Sequence, residues 1–141
     1  MSRREKIDED VKRHGWIVYT IVDDKLPIFA YTVGLYATFG HPEIIISGLR
    51  QELGHQILNN IGNDVKKGIR RQVEQHYDDI LENCDCVFKQ VSGNTYEEFL
   101  GQAMVYYNEQ RIPFLQCVYP DRNGQFPWDT NYIVMAQELL Y

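Results

Sequence analysis

One apolar stripe in the middle of the sequence sets the main constraint on the fold. Its side chains recur at steps of three and four residues, which is the period of a single helix face, at Leu49, Leu53, Ile57, Leu58, Ile61 and Val65. Such a helix is stable only when its stripe covers another hydrophobic layer. We therefore predict a helix over residues 49–65 that packs against strands.

Short segments rich in β-branched and aromatic residues supply that layer. Trp16 to Val22 and Ile28 to Val33 are separated by the turn residues 23–25, which predicts a hairpin. Glu43 to Ser47 is mostly apolar and typical of a buried strand. Further strands are predicted over Ile80 to Val91, with Cys84, Cys86 and Phe88 on one face, and over Pro113 to Tyr119.

Two other helices are predicted from capping patterns. Ser2 with Glu5 forms a capping box at the start of a short N-terminal helix that ends near Gly15. Thr95 with Glu98 does the same for a second main helix, whose stripe is Tyr96, Phe99, Leu100, Ala103 and Tyr107. The segments 69–77 and 132–141 fit both helical and extended patterns and stay open.

These elements predict an α+β fold. Strict alternation of strand and helix is missing, so a largely antiparallel sheet of about five or six strands is favoured over a doubly wound fold. We expect the two main helices to cover one face of that sheet, with the short N-terminal helix beside them. No linker or change of composition divides residues 1–141, which predicts a single globular domain.

Composition excludes several classes of protein. The chain has 14 basic and 20 acidic residues, a net charge of −6, which argues against nucleic acid as a partner. Its apolar runs are far shorter than a membrane span of about 20 residues, and no signal peptide is recognised. Three cysteines and four histidines lack the spacing of a metal site. We expect a cytoplasmic protein with free thiols and no bound metal.

The densest polar cluster lies between residues 31 and 43. Tyr31, Thr32, His41 and Glu43 bring a phenol, a hydroxyl, an imidazole and a carboxylate close to Gly34, where the backbone can approach a ligand closely. A histidine beside a glutamate suits proton transfer. The alternative interpretation is structural, with Tyr31 and Thr32 as strand residues and His41 bonded to backbone in a turn.

A second candidate is the basic cluster Lys66, Lys67, Arg70 and Arg71. These cations could contact an anion. They could equally complement the C-terminal dipole of the preceding helix.

Five segments occur in an order that resembles a known family. They are Gly15-Trp16, Phe29 to Leu35, Gly40 to Glu43, Ser47 to Leu49, and Pro120 to Trp128. Together, from about Ile7 to Tyr132, the chain resembles domain-of-unknown-function family 4262, a bacterial family. The resemblance implies a small stand-alone cytoplasmic protein and no established activity. It adds Asp121 and Trp128 to the candidate binding residues; by its residue type, Trp128 either caps the core or walls a pocket.

Three functions remain open. An acidic, tyrosine-rich domain without a complete catalytic constellation favours a non-enzymatic protein-binding or accessory module, such as a toxin-neutralising immunity protein, whose partner has a basic surface. The alternative is a small-ligand-binding protein or enzyme built on the polar cluster. A more distant alternative is flavin binding, since the first strands and helix are loosely similar to flavin-reductase-like split barrels, although few hydroxyls are available for the flavin phosphate.

Overall fold

A computed structural model describes residues 1–134 and 136–141. Its helices are α1 (Arg3–His14), α2 (Leu35–Phe39), α3 (Gln51–Lys66), α4 (Tyr96–Phe99) and α5 (Gly101–Tyr106). Its strands are β1 (Ile17–Ile21), β2 (Phe29–Val33), β3 (Glu43–Ser47), β4 (His76–Leu81), β5 (Cys84–Gln90) and β6 (Phe114–Val118).

The six strands form one open sheet in the order β1-β2-β3-β6-β5-β4. Every neighbouring pair is antiparallel except β3 with β6, which run parallel. The predicted α+β class is confirmed, as is a largely antiparallel sheet. Because the sheet is open, β1 and β4 are its edge strands, and the analogy with a split barrel gains no support.

Helices cover both faces of the sheet, so the expectation of one covered face is wrong. Alternate side chains of a strand point to opposite faces, and β2 shows the division. Phe29 and Tyr31 pack with α1, α4 and α5, whereas Ala30 packs with the buried stripe of α3. The sheet therefore separates two hydrophobic clusters, and α3 is the main cover of one of them.

The predicted strand over Ile80 to Val91 is in fact a hairpin. The chain turns after Leu81, where Asn83 adopts a left-handed backbone with φ of 66°, and Cys84 begins β5. Tyr77 pairs with Cys86 and Leu81 with Cys84, so β4 bulges between them. Asparagine tolerates this backbone better than most residues, which lets a turn form without glycine.

The second main helix is also interrupted. Leu100 leaves the helical region, with φ of −112° and ψ of 41°, and separates α4 from α5. Thr95 makes no side-chain cap to α4 and has a helical backbone, with φ of −79° and ψ of −28°; its hydroxyl donates to the carbonyl of Leu140 at 3.3 Å. Tertiary contacts thus override the local pattern. By contrast, the Ser2–Glu5 capping box of α1 is present.

Neither of the two segments left open forms a helix in the described residues. Residues 69–75 run to β4 with one isolated bridge, from Val73 to Phe88. The tail forms no helix or strand in residues 132–134 and 136–141, and Met135 lies outside the described residues. The tail is nevertheless anchored, because Leu140 donates its amide to the Gln116 side chain at 2.8 Å. In the described part of the chain, no helix is long and apolar enough to cross a membrane.

Candidate functional site

The polar cluster lies where the start of α2 meets Glu43, the first residue of β3. Gly34 connects β2 to α2 with φ of 119°, a backbone conformation that favours glycine. A side chain at Gly34 would also lie 2.8 Å from the carbonyl oxygen of Gly15. This tight connection turns the amides at the start of α2 toward the side chain of Glu43.

The carboxylate of Glu43 accepts hydrogen bonds from three consecutive amides. The donors are Gly34 at 2.7 Å, Leu35 at 3.1 Å and Tyr36 at 3.3 Å. These amides have no partner inside their own helix, so an anion placed on them stabilises the start of α2. Glu43 is fully buried and acts as an internal counter-ion for this helix start.

Two hydroxyl groups complete the surroundings of Glu43. Thr32 donates its hydroxyl to Glu43 Oε1 at 2.8 Å and accepts the amide of Ile44 at 2.9 Å. Tyr107 donates its hydroxyl to Glu43 Oε2 and accepts the amide of Ala37 at 3.2 Å. All these groups can donate to a carboxylate at once, so its two oxygens are shared among five donors.

The acidity of this cluster is governed by burial. Desolvation raises the pKa of Glu43, while hydrogen bonds from Tyr107, Thr32 and the backbone oppose that shift. Burial also raises the pKa of the Tyr107 phenol, and the neighbouring Glu43 charge adds to the effect. Tyr107 is therefore a neutral hydrogen-bond donor.

His41 makes its hydrogen bonds to backbone and not to Glu43. Its Nδ1 donates to the carbonyl of Pro42 at 2.8 Å, and its Nε2 accepts the amide of Arg71 at 2.9 Å. Both nitrogens are thus used by one neutral tautomer. Burial lowers the pKa of His41, which favours the same neutral form.

Tyr31 lies apart from this cluster in the core. Its hydroxyl accepts the amide of Gln102 at 2.9 Å, and burial raises its pKa to about 12. The structure therefore brings Thr32, Gly34 and Glu43 together and adds Tyr107, while Tyr31 and His41 bond to other parts of the chain.

In the basic cluster, the two arginines bond to other parts of the chain, whereas the two lysines are exposed. Arg71 forms ion pairs with Asp64 at 2.9 Å and Asp79 at 3.1 Å. Arg70 donates to the carbonyl of Gly40 at 3.0 Å. Lys66 and Lys67 are exposed at the end of α3. The guanidinium groups are therefore engaged with the chain itself.

Asp121 and Trp128 lie in the loop after β6. Asp121 is buried, accepts the amides of Asn123, Gln125 and Ile133 at 2.8–2.9 Å, and has a lowered pKa because of these bonds, chiefly that from Ile133. Trp128 stacks on Phe126 with ring centres 4.9 Å apart and keeps 44% of its surface exposed. Asp121 thus shapes the loop, and Trp128 is the exposed member of the pair.

Two features of the structure were not identified from the sequence. The sequence predicts Tyr107 only as part of the apolar stripe of a helix. No local pattern indicates its contact with Glu43, which lies 64 positions away. The second feature is a run of carboxylates on β4 and β5, which charge patterning alone could have indicated. The larger described hollows run along α3 and α1, and neither His41 nor Glu43 lines them.

Comparison with known proteins gives one match. No curated protein and no solved structure matches the chain. The family model described as "Domain of unknown function (DUF4262)" matches residues 10–133, which includes the polar cluster and the loop of Asp121 and Trp128. The chain therefore belongs to the DUF4262 family.

Proposed function

We propose that this chain is a non-enzymatic protein-binding module and that its partner presents a basic surface. The observation that carries the proposal is the concentration of carboxylates on β4, β5 and the turn between them. Glu74, Asp78, Asp79, Glu82 and Asp85 fall within residues 74–85, and no lysine or arginine occurs between residues 72 and 88. We call residues 74–85 the acidic hairpin.

The acidic hairpin is placed where a partner can reach it. β4 is an edge strand, and Asp78 and Glu82 are exposed. Within the described residues, lysine or arginine pairs with Glu74 and Asp79 but not with Asp78, Glu82 or Asp85. Asp85 instead lies 3.3 Å from Nδ1 of His76. These three carboxylates can attract a positively charged surface over long range and pair with it on contact.

The backbone of β4 is less suited to binding than its side chains. The bulge between Tyr77 and Leu81 interrupts the regular spacing of its hydrogen-bonding groups, and bulges and charges on an edge strand oppose the addition of another strand. We therefore propose side-chain contact with a folded basic surface and not the addition of a peptide strand.

Aromatic side chains lie beside the acidic hairpin. Phe126 contacts the ring of His76 with centres 5.4 Å apart, and Trp128 stacks on Phe126. Tyr141 meets Trp128 at 6.2 Å. Exposed tryptophan and tyrosine are enriched where proteins bind one another, so this neighbourhood supports the same surface.

The arrangement of the polar cluster also favours a binding module over an enzyme. The hydrogen-bonding groups of Glu43 and His41 are engaged with the chain itself. A general base needs to reach a proton of the substrate. A group that is buried and already shared among donors is poorly placed for that role.

Site-specific photo-crosslinking tests the proposal. A photoreactive residue at Glu82 should capture a protein partner in cells, whereas the same residue at Asn94, which is exposed in the short 3₁₀ helix Gly93–Thr95, should not. The captured protein is then purified and mixed with the unmodified chain. Equal capture at both positions, or no complex between the purified proteins, would contradict the proposal.

Neutralisation of a toxin is the specific form of this function that we propose. A bound partner with a basic active surface would be blocked by the acidic hairpin. If the purified partner is toxic when produced alone, co-production of this chain should restore growth, and the acidic hairpin should be required. If the partner is not toxic when produced alone, toxin neutralisation is excluded, and the proposed protein-binding function is unaffected.

A further inference from the structure

A groove along α3 has the chemistry of a ligand site. It lies between the outer side of α3, the end of α1 and the edge strand β1, and it consists of two adjoining hollows of about 540 and 640 Å³. Both hollows are wide and open to solvent, so a ligand would lie along the surface and not inside an enclosed cavity. His55 and Asn59 line both hollows, so the two form one continuous surface.

Carboxamides are the most frequent side chains in the lining of this groove. α3 contributes Gln51, Gln56, Asn59, Asn60 and Asn63. Asparagine is a poor helix former, because its side chain competes for backbone hydrogen bonds, and an exposed helix face ordinarily carries charged residues instead. Within the described residues, the side chains of Gln51, Gln56, Asn60 and Asn63 make no hydrogen bond. A row of unpaired carboxamides can bind a ligand that both donates and accepts hydrogen bonds.

Trp16 forms an aromatic wall of the groove, and its position is fixed. Its indole donates to Asn59 Oδ1 at 3.0 Å, which leaves the amide nitrogen of Asn59 free to turn outward. The indole lies against Gly62, where an added Cβ would approach Trp16 Cζ2 to 2.6 Å. Glycine inside a helix costs about 1 kcal/mol relative to alanine. At Gly62, α3 therefore has a residue that disfavours the helix but leaves room for the indole of Trp16.

The charges of the groove select against an anionic ligand. Asp10 lines one hollow and Glu52 the other, and neither hollow has lysine or arginine among its lining residues in the described chain. The basic residues of the lining are two histidines, His14 and His55, which carry no formal charge at neutral pH. A phosphate or carboxylate would therefore meet these two acids without a lysine or arginine to offset them. A neutral ligand with several hydroxyl groups would instead find carboxamides and carboxylates as partners.

We propose that this groove binds a neutral saccharide. The C–H face of a pyranose ring can lie on the partly exposed indole of Trp16, while its hydroxyl groups exchange hydrogen bonds with the carboxamides of α3 and with His55. The groove lies beside β1, at the opposite edge of the sheet from the acidic hairpin. Gln56 and Asn60 of the groove also line a hollow that includes Glu82 of the acidic hairpin. His55 and Asn63 do not line that hollow, so changes at these two positions separate saccharide binding from the proposed protein binding.

NMR titration of the full chain tests this proposal with maltose, cellobiose and chitobiose as probes and adenosine as a competing class. We expect at least one saccharide to shift the side-chain amide signals of Asn59 and Asn63 and the indole N–H of Trp16. Because the chain has two tryptophans, a Trp128→Phe background assigns any parallel fluorescence change to Trp16.

Exposed positions supply variants that keep the fold. His55→Ala and Asn63→Ala should each weaken saccharide binding about fivefold, the effect of losing one hydrogen bond, while Asn94→Ala should leave it unchanged. The proposal is overturned if none of the three saccharides shifts the groove signals at high millimolar concentration. It is also overturned if only adenosine does so, or if the two groove variants bind a saccharide as well as the parent chain.

Discussion

Thr32 Oγ1 lies 2.8 Å from Glu43 Oε1, and this contact links two neighbouring strands at the point where their backbone ladder stops. The last paired residues of β2 and β3 are Tyr31 and Ile45. One step further, the Thr32 hydroxyl accepts the amide of Ile44 in place of a backbone carbonyl. The same hydroxyl donates a hydrogen bond to a carboxylate that also accepts the amides at the start of α2. A single buried acid therefore joins β2, β3, α2 and, through Tyr107, the end of α5.

Replacing Glu43 by glutamine should destabilise the fold. Glu43→Gln keeps the shape of the side chain but turns one acceptor oxygen into a donor, so buried amides and a phenol lose their partner. We expect a loss of about 3 kcal/mol in the free energy of unfolding, measured by urea denaturation. Asp24→Asn, at an exposed carboxylate between β1 and β2, should change stability by less than about 0.5 kcal/mol. Equal, small effects in both variants would mean that Glu43 does not hold the helix start.

His41 should make stability depend on pH in a defined direction. Burial lowers its pKa in the folded state, whereas an exposed histidine in the unfolded chain titrates near 6.5. As the pH falls below about 6.5, the unfolded chain takes up a proton that the folded chain does not. The stability contributed by neutral His41 is therefore present above that pH and is lost as the pH falls towards the lowered folded-state pKa.

Comparison with His41→Asn isolates this effect, since all other titratable groups are shared. Urea denaturation of both proteins between about pH 5 and pH 8 covers the expected transition of the histidine. The stability difference between parent and variant should shrink as the solution becomes more acidic. If the two pH profiles run parallel, His41 takes up its proton equally in the folded and unfolded states.

The two glycines of α3 should respond in opposite ways to alanine. At Gly62 a Cβ would approach the indole of Trp16 to 2.6 Å at Cζ2, whereas at Gly54 the nearest atoms, on Ala30 and Ile46, are 3.8 Å away. Gly54→Ala should therefore gain up to about 1 kcal/mol from helix propensity. Gly62→Ala should instead lose about 1–3 kcal/mol through overpacking. Thermal denaturation measures both, and stabilisation by both would contradict the seating of Trp16 on α3.

Patterns within one element were predicted well from the sequence. The stripe of Ile57, Leu58 and Ile61 identified α3, and these side chains are buried against the sheet. The Ser2–Glu5 box identified the start of α1. In such cases the periodicity of the chain and the geometry of one element are sufficient, because no distant residue is needed to define them.

Features that depend on distant residues were missed. Leu100 interrupts a helical pattern because the surrounding core places it there, and Asn83 makes a turn without the usual glycine. Tyr107 reaches Glu43 only after the sheet and α5 have packed together. The sequence placed His41 close to Glu43, but its partner is the amide of Arg71, which lies 30 positions further along. Proximity along the chain therefore overestimated how many polar groups share one site.

The protein-binding proposal is tested most directly by the dissociation constant of the complex with the purified partner. Asp78, Glu82 and Asp85 are changed together to lysine in one variant, and the exposed residues Asp24, Glu52 and Glu98 in a second. Three such changes add six charges and bring the net charge from −6 to zero in both, so overall charge is matched. We predict that the acidic-hairpin variant binds at least about a hundredfold more weakly, from the loss of several close charge pairs, while the second variant binds nearly as well as the parent chain. Equal weakening of both variants, or unchanged binding by the acidic-hairpin variant, would contradict the account.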